Sequence, residues 1–389
     1  MSRADRTFLD NYMCVDLPGT DSNLTGLLMT HRKTLLTIAL TGALLALAPT
    51  TQANVSYTVL DLGDLGGSNS YGTAINSSGQ VAGYSATKDG WQHAFVTQNN
   101  NMVDLGTLGV NYINSFGYGI NDRGQVVGKN TTSDGQSYAA FVTINGNMTG
   151  ISNTFGGNVA AMAYDINNSG QITGYASGTP VSMDNGYGVQ VSGITPLYAF
   201  VTQNGVMTKI NNNDNLGISS IAYSINDNGD TTGVFFSVYG GGPLPFESQG
   251  TMNIALGGGY NGRSINNSGQ VTGSDGGFYN NYGINDSGQI VGDQQPSSAQ
   301  GTRHAFVTQN GVMTDLNNLI TDKSGWMLLD ARAINNNGQI TGSGTNALGQ
   351  THAYLLTPVS AVPVPAAFWL FGSALLGLTG LNRRKQATV

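Results

Sequence analysis

The chain has little of several residue types that cross-link proteins or carry out catalysis. Among its 389 residues there is one cysteine, Cys14, and one glutamate, Glu247. A single cysteine excludes an intrachain disulfide framework, so stability must come from packing. With one glutamate, a glycosidase-type carboxylate pair would have to be built from aspartates. The sequence has no Gly-x-Ser-x-Gly elbow, His-Glu-x-x-His helix or phosphate-binding loop. We therefore predict no enzymatic activity and no cofactor.

Charge is also scarce. Charged residues make up 10% of the chain, and the formal net charge is -7. From Asn54 to Val362 there are eight Lys or Arg against eighteen Asp or Glu. This balance argues against nucleic acid as a partner, because phosphate backbones are bound by basic surfaces. Aliphatic and aromatic residues still recur at regular positions, which is not the composition of a disordered tail.

The chain contains one short motif that occurs seven times. A clear copy is residues 120–128, Ile-Asn-Asp-Arg-Gly-Gln-Val-Val-Gly. Every copy keeps Ile-Asn-x-x-Gly, and Gln follows in all but one, where Asp230 stands. Asparagine at the first turn position and glycine at the last are typical of a type I turn whose last residue is left-handed. We predict a β-hairpin at each copy. The other copies begin at Ile75, Ile166, Ile225, Ile265, Ile284 and Ile334.

Further strand-like segments follow the hairpins. After the first copy come His93-Ala94-Phe95 and then Met102-Val103-Asp104-Leu105-Gly106, and the same order recurs from His304 and Met313. The segments are rich in Val, Ile, Phe and Tyr and are bounded by Asn, Gly or Ser, which predicts three or four antiparallel strands per unit. One such sheet cannot bury both of its faces alone. Neighbouring units must therefore stack, either as propeller blades or as a solenoid.

The two ends of the repeat region favour the propeller. The last unit stops after His352-Ala353-Tyr354 and lacks its Met-x-Asp-Leu strand, whereas the segment from Tyr57 to Gly63 looks like that strand with no hairpin before it. We predict an all-β propeller of six or seven blades over residues 54–358, closed by its N-terminal strand. A β-solenoid is the alternative. The unit from Ile265 is short, and Phe278 and Tyr279 are the only candidates for its missing strands.

These motifs resemble those of a known family. Ile-Asn-x-x-Gly-Gln followed by His-Ala-Phe and Met-x-Asp-Leu-Gly is similar to the bacterial extracellular repeats named HAF after that tripeptide. The likeness covers almost all of the stretch from Tyr57 to Leu356. It implies an exported repeat protein and no particular reaction.

The N-terminal 53 residues predict a leader that is removed. From Met29, a basic head at His31 to Lys33 is followed by an apolar core and by small residues ending at Ala53, which is the pattern of a secretory signal peptide. Cleavage between Ala53 and Asn54 would free the repeats, with the Sec translocon as the export partner. We interpret the residues before Met29 as a start-site misassignment; an extended leader is the alternative.

Residues 359–389 predict a membrane-sorting tail. A proline motif precedes an apolar run from Phe368 to Leu381, long enough with its flanks to span a bilayer, and a basic cluster follows. This order is similar to the PEP-CTERM sorting signal of Gram-negative bacteria, although Val364 stands where the name-giving motif has glutamate. The resemblance implies recognition by an exosortase, transient residence in the inner membrane and delivery to the cell surface or matrix, often alongside exopolysaccharide. The motif residues are Val362, Pro363, Val364, Pro365, Ala366, Arg383, Arg384 and Lys385.

Few residues suggest a chemical site. His93, His304 and His352 occupy the same position of different units, so we expect three equivalent structural roles and no shared metal. The Asn-Asp-x-Gly turns lack the carboxylates of a calcium loop. Residues 235–250 look like an irregular surface loop that could instead shape a pocket. We predict a non-enzymatic surface or matrix protein whose Asn-rich and Tyr-rich rim binds glycans or proteins. The alternative is a polysaccharide-acting enzyme on a propeller scaffold.

Overall fold

The computed structural model describes residues 55–359, apart from 185–189, 211–218, 237–242, 250–251, 256–260, 275–278, 296–300, 310 and 322–324. The predicted cleavage site at Ala53 and Asn54 and the sorting tail, including Val362 to Ala366 and Arg383 to Lys385, lie outside these residues. Within the described part, no helix is long and apolar enough to cross a lipid bilayer.

Strands dominate the described residues, with one short 3-10 helix, η1, at Leu316–Asn318. The prediction of an all-β fold is confirmed. The first strands are β1 Ser56–Asp61, β2 Gly66–Ile75, β3 Val81–Thr87, β4 Gln92–Gln98, β5 Asn101–Asp104, β6 Asn114–Ile120, β7 Val126–Thr131, β8 Tyr138–Ile144, β9 Asn147–Gly150 and β10 Gly156–Ile166. The next are β11 Ile172–Gly178, β12 Val181–Asp184, β13 Gln190–Ile194, β14 Leu197–Gln203, β15 Val206–Lys209, β16 Ser219–Ile225, β17 Thr231–Phe236, β18 Leu244–Gln249, β19 Met252–Ala255 and β20 Asn261–Ile265. The last are β21 Val271–Ser274, β22 Tyr279–Ile284, β23 Ile290–Gln294, β24 His304–Gln309, β25 Val312–Asp315, β26 Met327–Ile334, β27 Ile340–Thr345 and β28 Thr351–Val359.

Each copy of the motif forms the predicted hairpin. In the second copy the amide of Gly124 donates to the carbonyl of Asn121, and Gly124 has a φ of 74°. Glycine adopts this left-handed backbone without the steric cost that a Cβ would add. The equivalent glycine is left-handed in all seven copies. The seven hairpins are β2-β3, β6-β7, β10-β11, β16-β17, β20-β21, β22-β23 and β26-β27.

The hairpins form the inner strands of seven units arranged as in a β-propeller. In six units a third and a fourth strand extend the sheet outwards, as β4 and β5 do beside β3. The core lies between neighbouring sheets, where the third strand contributes a fully buried aromatic ring such as Phe95, Phe141 or Tyr354. The phenylalanine of His-Ala-Phe is therefore a packing residue, which fills the core between neighbouring sheets.

Two interpretations of the irregular units were wrong. Within residues 235–250, the described segment Leu244–Gln249 is the third strand of its sheet and not a surface loop, and Phe246 is fully buried opposite Gly233. Phe246 thus takes the place of the phenylalanine of His-Ala-Phe. In the short unit, Tyr279 begins β22 of the following hairpin, and Phe278 lies outside the described residues. Among the residues described, this unit has two strands.

The motif asparagines join each unit to the next. The side-chain Nδ2 of Asn76 donates to the main-chain oxygen of Asn121 at 3.1 Å, and Asn121 donates likewise to Asn167 at 3.2 Å. The series continues through the described units and returns to its start, where Nδ2 of Asn335 donates to the oxygen of Asn76 at 2.9 Å. Seven such bonds make a complete circle, and all seven asparagines are buried. We call this circle the asparagine ring.

The N-terminal strand forms the outer edge of the last sheet. β1 pairs antiparallel with β28, with Val59 opposite Leu356. The amide of Leu62 donates to the oxygen of Ala353 at 3.0 Å, as Leu105 does to Ala94 at 2.9 Å in the first unit. Residues almost 300 positions apart thus reproduce the pairing that other units make locally.

We predict that a single residue of this N-terminal strand contributes as much stability as a central core residue. Tyr57 is 1% exposed and packs in the core of the last unit. Replacing Tyr57 with alanine is expected to lower the free energy of unfolding by about 3–5 kcal/mol. Chemical denaturation measures the change.

Leu60 provides the control on the same strand, because 37% of its surface is exposed. Leu60→Ala is expected to cost less than about 1 kcal/mol. Equal and small effects of the two substitutions would contradict the pairing of β1 with β28.

We also predict that the asparagine ring stabilises the fold through its side-chain amides. Asn121→Ala removes the hydrogen bond to the buried oxygen of Asn167 and leaves the turn amide of Gln125 without its side-chain partner, which is expected to cost about 2–4 kcal/mol in the free energy of unfolding. Arg123→Ala, two residues away and exposed, is the control and should change stability by less than about 0.5 kcal/mol. An Asn121→Ala variant as stable as the control would refute the role of the ring.

Candidate functional site

A β-bulge occurs at the same place in every inner hairpin. In the second unit Gly117 pairs with Gly128 and Gly119 with Val127, so Tyr118 has no partner across the hairpin. In all seven hairpins, the residue two positions before the motif isoleucine has no pairing partner on the opposite strand. Bulges bend the strand and redirect the side chain of the extra residue. We call these seven residues the bulge column: Thr73, Tyr118, Tyr164, Tyr223, Arg263, Tyr282 and Arg332.

The last glycine of the motif makes the bulge possible. A Cβ on Gly128 would lie 1.8 Å from the main-chain oxygen of Phe116, and a Cβ on Gly174 would lie 1.9 Å from that of Met162. No other residue fits against the partner strand at this distance, because such a contact is far inside van der Waals range. The motif therefore carries two separate glycine requirements, one in the turn and one opposite the bulge.

The bulge column lines one mouth of the central channel. Its side chains, together with Tyr71, Tyr84 and Asp330, surround a cavity of about 370 Å³. This size lies at the lower end of small-molecule binding sites. We call this opening the tyrosine–arginine mouth. Six of the chain's 17 tyrosines line it.

Aromatic rings follow one another around the mouth. The ring centroids of Tyr71 and Tyr84 are 5.0 Å apart and stacked, those of Tyr118 and Tyr164 are 5.6 Å apart, and those of Tyr164 and Tyr223 are 5.2 Å apart. These separations are in the range of favourable aromatic pairs. The mouth therefore presents a fixed set of flat apolar faces with polar hydroxyl groups at their edges.

Burial keeps these hydroxyls neutral. It raises the pKa of Tyr282 to about 12 and raises the pKa of Tyr118 and Tyr164 further. At any physiological pH the phenols therefore retain their protons and can donate hydrogen bonds to a ligand.

The two arginines of the mouth differ in their partners. Nη2 of Arg332 lies 3.0 Å from Oδ2 of Asp330, and the guanidinium lies 4.3 Å from the centroid of Tyr282. Burial disfavours the charge of Arg332, but the Asp330 carboxylate outweighs this effect and raises its pKa. Arg263 lies 5.4 Å from the centroid of Tyr223 and has no carboxylate partner among the described residues.

Below the mouth the channel continues into a chamber of about 230 Å³. Six of the seven motif isoleucines line this chamber, and all seven line the cavity on the other side, so they lie between the two. We call them the isoleucine collar: Ile75, Ile120, Ile166, Ile225, Ile265, Ile284 and Ile334. The collar is an apolar constriction between two polar cavities.

One carboxylate, Asp165, lies in the chamber wall. Its Oδ2 accepts hydrogen bonds from Oγ of Ser224 at 2.8 Å and from the amide of Ile225 at 3.0 Å. Burial raises the pKa of Asp165 to about 6, although these hydrogen bonds favour the charged form. No repeated sequence pattern predicts a carboxylate here, since the other units have Ala, Gly or Ser at the same position.

The opposite mouth is acidic and amide-rich. Around it the residue after the motif asparagine alternates between aspartate and asparagine through six units and is Ser77 in the seventh. The alternation is complementary: Nδ2 of Asn168 lies 3.0 Å from Asp122 and 3.1 Å from Asp227. Because seven is odd, a donor–acceptor alternation must fail once, and Ser77 stands at that break.

The three histidines have equivalent places on different units, as predicted. Nδ1 of His93 lies 2.9 Å from Asp104, that of His304 lies 2.7 Å from Asp315, and that of His352 lies 2.8 Å from Asp61 of β1. The pairs tie the third strand of a sheet to the fourth. In the described part of the chain, no group of three His, Cys, Asp or Glu side chains is placed to hold a metal ion.

We expect Asp165 to make stability fall as pH rises. Its pKa is higher in the folded chain than in the unfolded chain, so its contribution is fully present below pH 4 and is lost as pH rises through about 6. The loss should be on the order of 2–3 kcal/mol by pH 7.5. Asp165→Asn removes this titration, so the stability of the variant relative to wild type should rise by this amount between pH 4 and pH 7.5 in urea denaturation.

Ile166→Val, which changes the neighbouring buried residue and no ionisable group, is the control and should show a flat difference over the same range. A pH-independent difference for Asp165→Asn would show that this carboxylate does not titrate as described.

No family model and no curated protein matches the sequence. Solved structures resemble the chain only distantly. A triple arginine-to-alanine mutant of AofleA from Arthrobotrys oligospora has 11% identity and a TM-score of 0.36, covering 79% of this chain and 90% of that one. A puromycin-hydrolyzing peptidase of Mycobacterium tuberculosis has 9% identity and a TM-score of 0.32, covering 77% and 55%. The β-propeller domain of the Trilobed protease from Pyrococcus furiosus has 8% identity and a TM-score of 0.34, covering 80% and 100%. We transfer no site or activity from them.

Proposed function

We propose that this chain is an exported, non-enzymatic surface or matrix protein that binds glycans at the tyrosine–arginine mouth. The observation that carries the proposal is the bulge column, because seven equivalent distortions aim one side chain each into the same cavity, and four of the seven are tyrosines. Aromatic faces stack on the apolar faces of sugar rings, and neutral phenols and guanidinium groups donate hydrogen bonds to their hydroxyls.

The scaffold of this proposal is a seven-bladed propeller sealed by β1. The asparagine ring and the pairing of β1 with β28 support it. Such a scaffold holds the mouth rigid, which reduces the entropy lost on binding.

The proposed localisation of the protein is based on its N-terminal and C-terminal segments. The signal pattern ending at Ala53 and the tail with Val362 to Ala366 and Arg383 to Lys385 favour export through the Sec translocon and sorting by an exosortase to the surface or matrix. Exopolysaccharide made by the same cell is then the most accessible glycan partner.

A polysaccharide-acting enzyme is the second candidate, and Asp165 favours it. A carboxyl group with a pKa near 6 can act as a general acid close to neutral pH. The other carboxylate of the cavities above the collar, Asp330, is held in the ion pair with Arg332. Asp165 therefore has no second free carboxylate beside it in the described wall, and we favour binding.

We predict that the protein retains the producer's own exopolysaccharide without shortening it. The protein is immobilised, polysaccharide retention is measured, and light scattering on eluted material gives the chain length. Tyr118→Ala with Tyr223→Ala should weaken retention about thirtyfold, since each lost ring face contributes on the order of 1 kcal/mol. Trp91→Ala is the control, because this ring is 45% exposed, lies in the turn between β3 and β4 and does not line the mouth.

Shortened polysaccharide would favour the enzyme, and if Asp165→Asn abolished the shortening, the binding-only function would be refuted. Equal loss of retention in the Trp91→Ala control would show that the mouth is not the binding site.

A further inference from the structure

Arg263 stands out among the charged groups of the mouth. In the described residues, Arg303 and Arg332 each form an ion pair with an aspartate, whereas Arg263 forms none. Its Nε is buried and has no hydrogen-bond partner. A cation without a counter-charge at a cavity wall is stabilised by an anion bound beside it, so an anionic ligand gains binding energy there.

The position of Arg263 is fixed by its surroundings. It is the unpaired bulge residue of its hairpin, between Gly262 and Ser264, so the backbone directs it into the channel. Its guanidinium lies 5.4 Å from the centroid of Tyr223 on one side and 5.9 Å from that of Tyr282 on the other. The charge is therefore held between two aromatic rings, and little side-chain freedom remains to be lost on binding.

The two ends of the channel carry opposite charge, and the positive end, which contains Arg263, attracts anions. The tyrosine–arginine mouth has two guanidinium groups and one carboxylate, Asp330, whereas the opposite mouth is lined by Asp122, Asp227 and Asp286. Although the chain as a whole is acidic, the residues that line this mouth keep one uncompensated positive charge. The Asp165 carboxylate lies below them in the chamber wall, where it accepts hydrogen bonds from Ser224 and Ile225. A cleft of one sign concentrates ligands of the other sign.

The isoleucine collar limits how far a sugar chain can enter. Most of its side chains are buried, and both cavities beside it are polar. A chain that passed through would lose hydration from its hydroxyls without gaining hydrogen bonds from the collar. The mouth and chamber therefore suit the end of a polysaccharide better than its middle.

We propose that the tyrosine–arginine mouth binds the terminal sugar of an acidic polysaccharide, with the sugar's carboxylate on Arg263 and its ring against the tyrosines. One unpaired guanidinium matches one planar, singly charged carboxylate, and its two Nη groups can bind both oxygens. The inference rests on the proposed glycan-binding function and adds the charge of the ligand and its end-on approach.

Isothermal titration of the full-length chain with defined trisaccharides tests this inference. The acidic probes are trimers of galacturonate, glucuronate and mannuronate, each compared with the neutral trimer of the corresponding hexose. At least one acidic trimer is expected to bind one per chain and about tenfold more tightly than its neutral counterpart. Its affinity should fall as salt rises from 50 to 500 mM.

Variants assign the effect to Arg263. Arg263→Gln should weaken the acidic trimer about tenfold and leave the neutral trimer unchanged, and Arg263→Lys should lose part of the affinity because ammonium cannot bind both oxygens in the plane. Arg123→Gln removes the same charge at the exposed end of another turn, beside the opposite mouth, and should have no effect. Thermal melts establish that each variant is folded.

The outcomes separate this inference from the proposed function. Equal affinity for acidic and neutral trimers, or equal loss in Arg123→Gln, would overturn the carboxylate contact while glycan binding stands. If no trimer bound but exopolysaccharide were retained, end-on recognition of a single terminal acid would be wrong. If neither trimers nor exopolysaccharide bound, both the inference and the proposed function would fail.

Discussion

The rest of the structure depends on one type of hydrogen bond, which occurs seven times. In each case the side-chain amide of a turn asparagine donates to the main-chain oxygen of the equivalent asparagine in the next unit. The same side chain also holds its own turn, since Oδ1 of Asn121 accepts from the amide of Gln125 and Nδ2 donates to Oε1 of Gln125. Local and long-range order are therefore set by one residue. A hairpin that forms correctly is already prepared to bind its neighbours, and this consistency of local and global preferences favours a single folded state.

Within each unit, the residues that form the asparagine ring and the bulge are different from the residue that lines the tyrosine–arginine mouth. Asparagine and the two glycines are the same in every unit because the turn, the ring and the bulge each tolerate one residue type. The bulge residue has no cross-strand partner, so it varies without disturbing the hairpin: it is threonine at 73, arginine at 263 and tyrosine at 118. A scaffold of this kind can change its ligand by changing one column of side chains while its hydrogen bonds stay intact.

Much of the fold follows from short-range sequence patterns. Asparagine and glycine spacing predicted every hairpin, and the incomplete last unit predicted the pairing of β1 with β28, which even supplies Asp61 to His352 where other units use a local aspartate. The third strand at Leu244–Gln249 was not predicted, because Pro245-Phe246 shares only its phenylalanine with His-Ala-Phe. Its register becomes visible only from its pairing with β17. The tyrosine–arginine mouth was not predicted from the sequence for a related reason. A bulge breaks the two-residue alternation of a strand, so Tyr118 and Arg263 read as ordinary outward residues until the seven copies are aligned on their isoleucines. Asp165 depends on Ser224 of the next unit, which no local pattern can show.

The circular arrangement requires the last hairpin to contact the first, and a crystal structure of the protein tests this contact most directly. We predict that Nδ2 of Asn335 lies within hydrogen-bond distance of the oxygen of Asn76, near the 2.9 Å found here, with Val59 opposite Leu356 in an antiparallel pair. First and last hairpins held apart, with the Asn335 amide facing solvent and β1 unpaired, would contradict the circular arrangement and with it the common mouth on which the proposed binding depends.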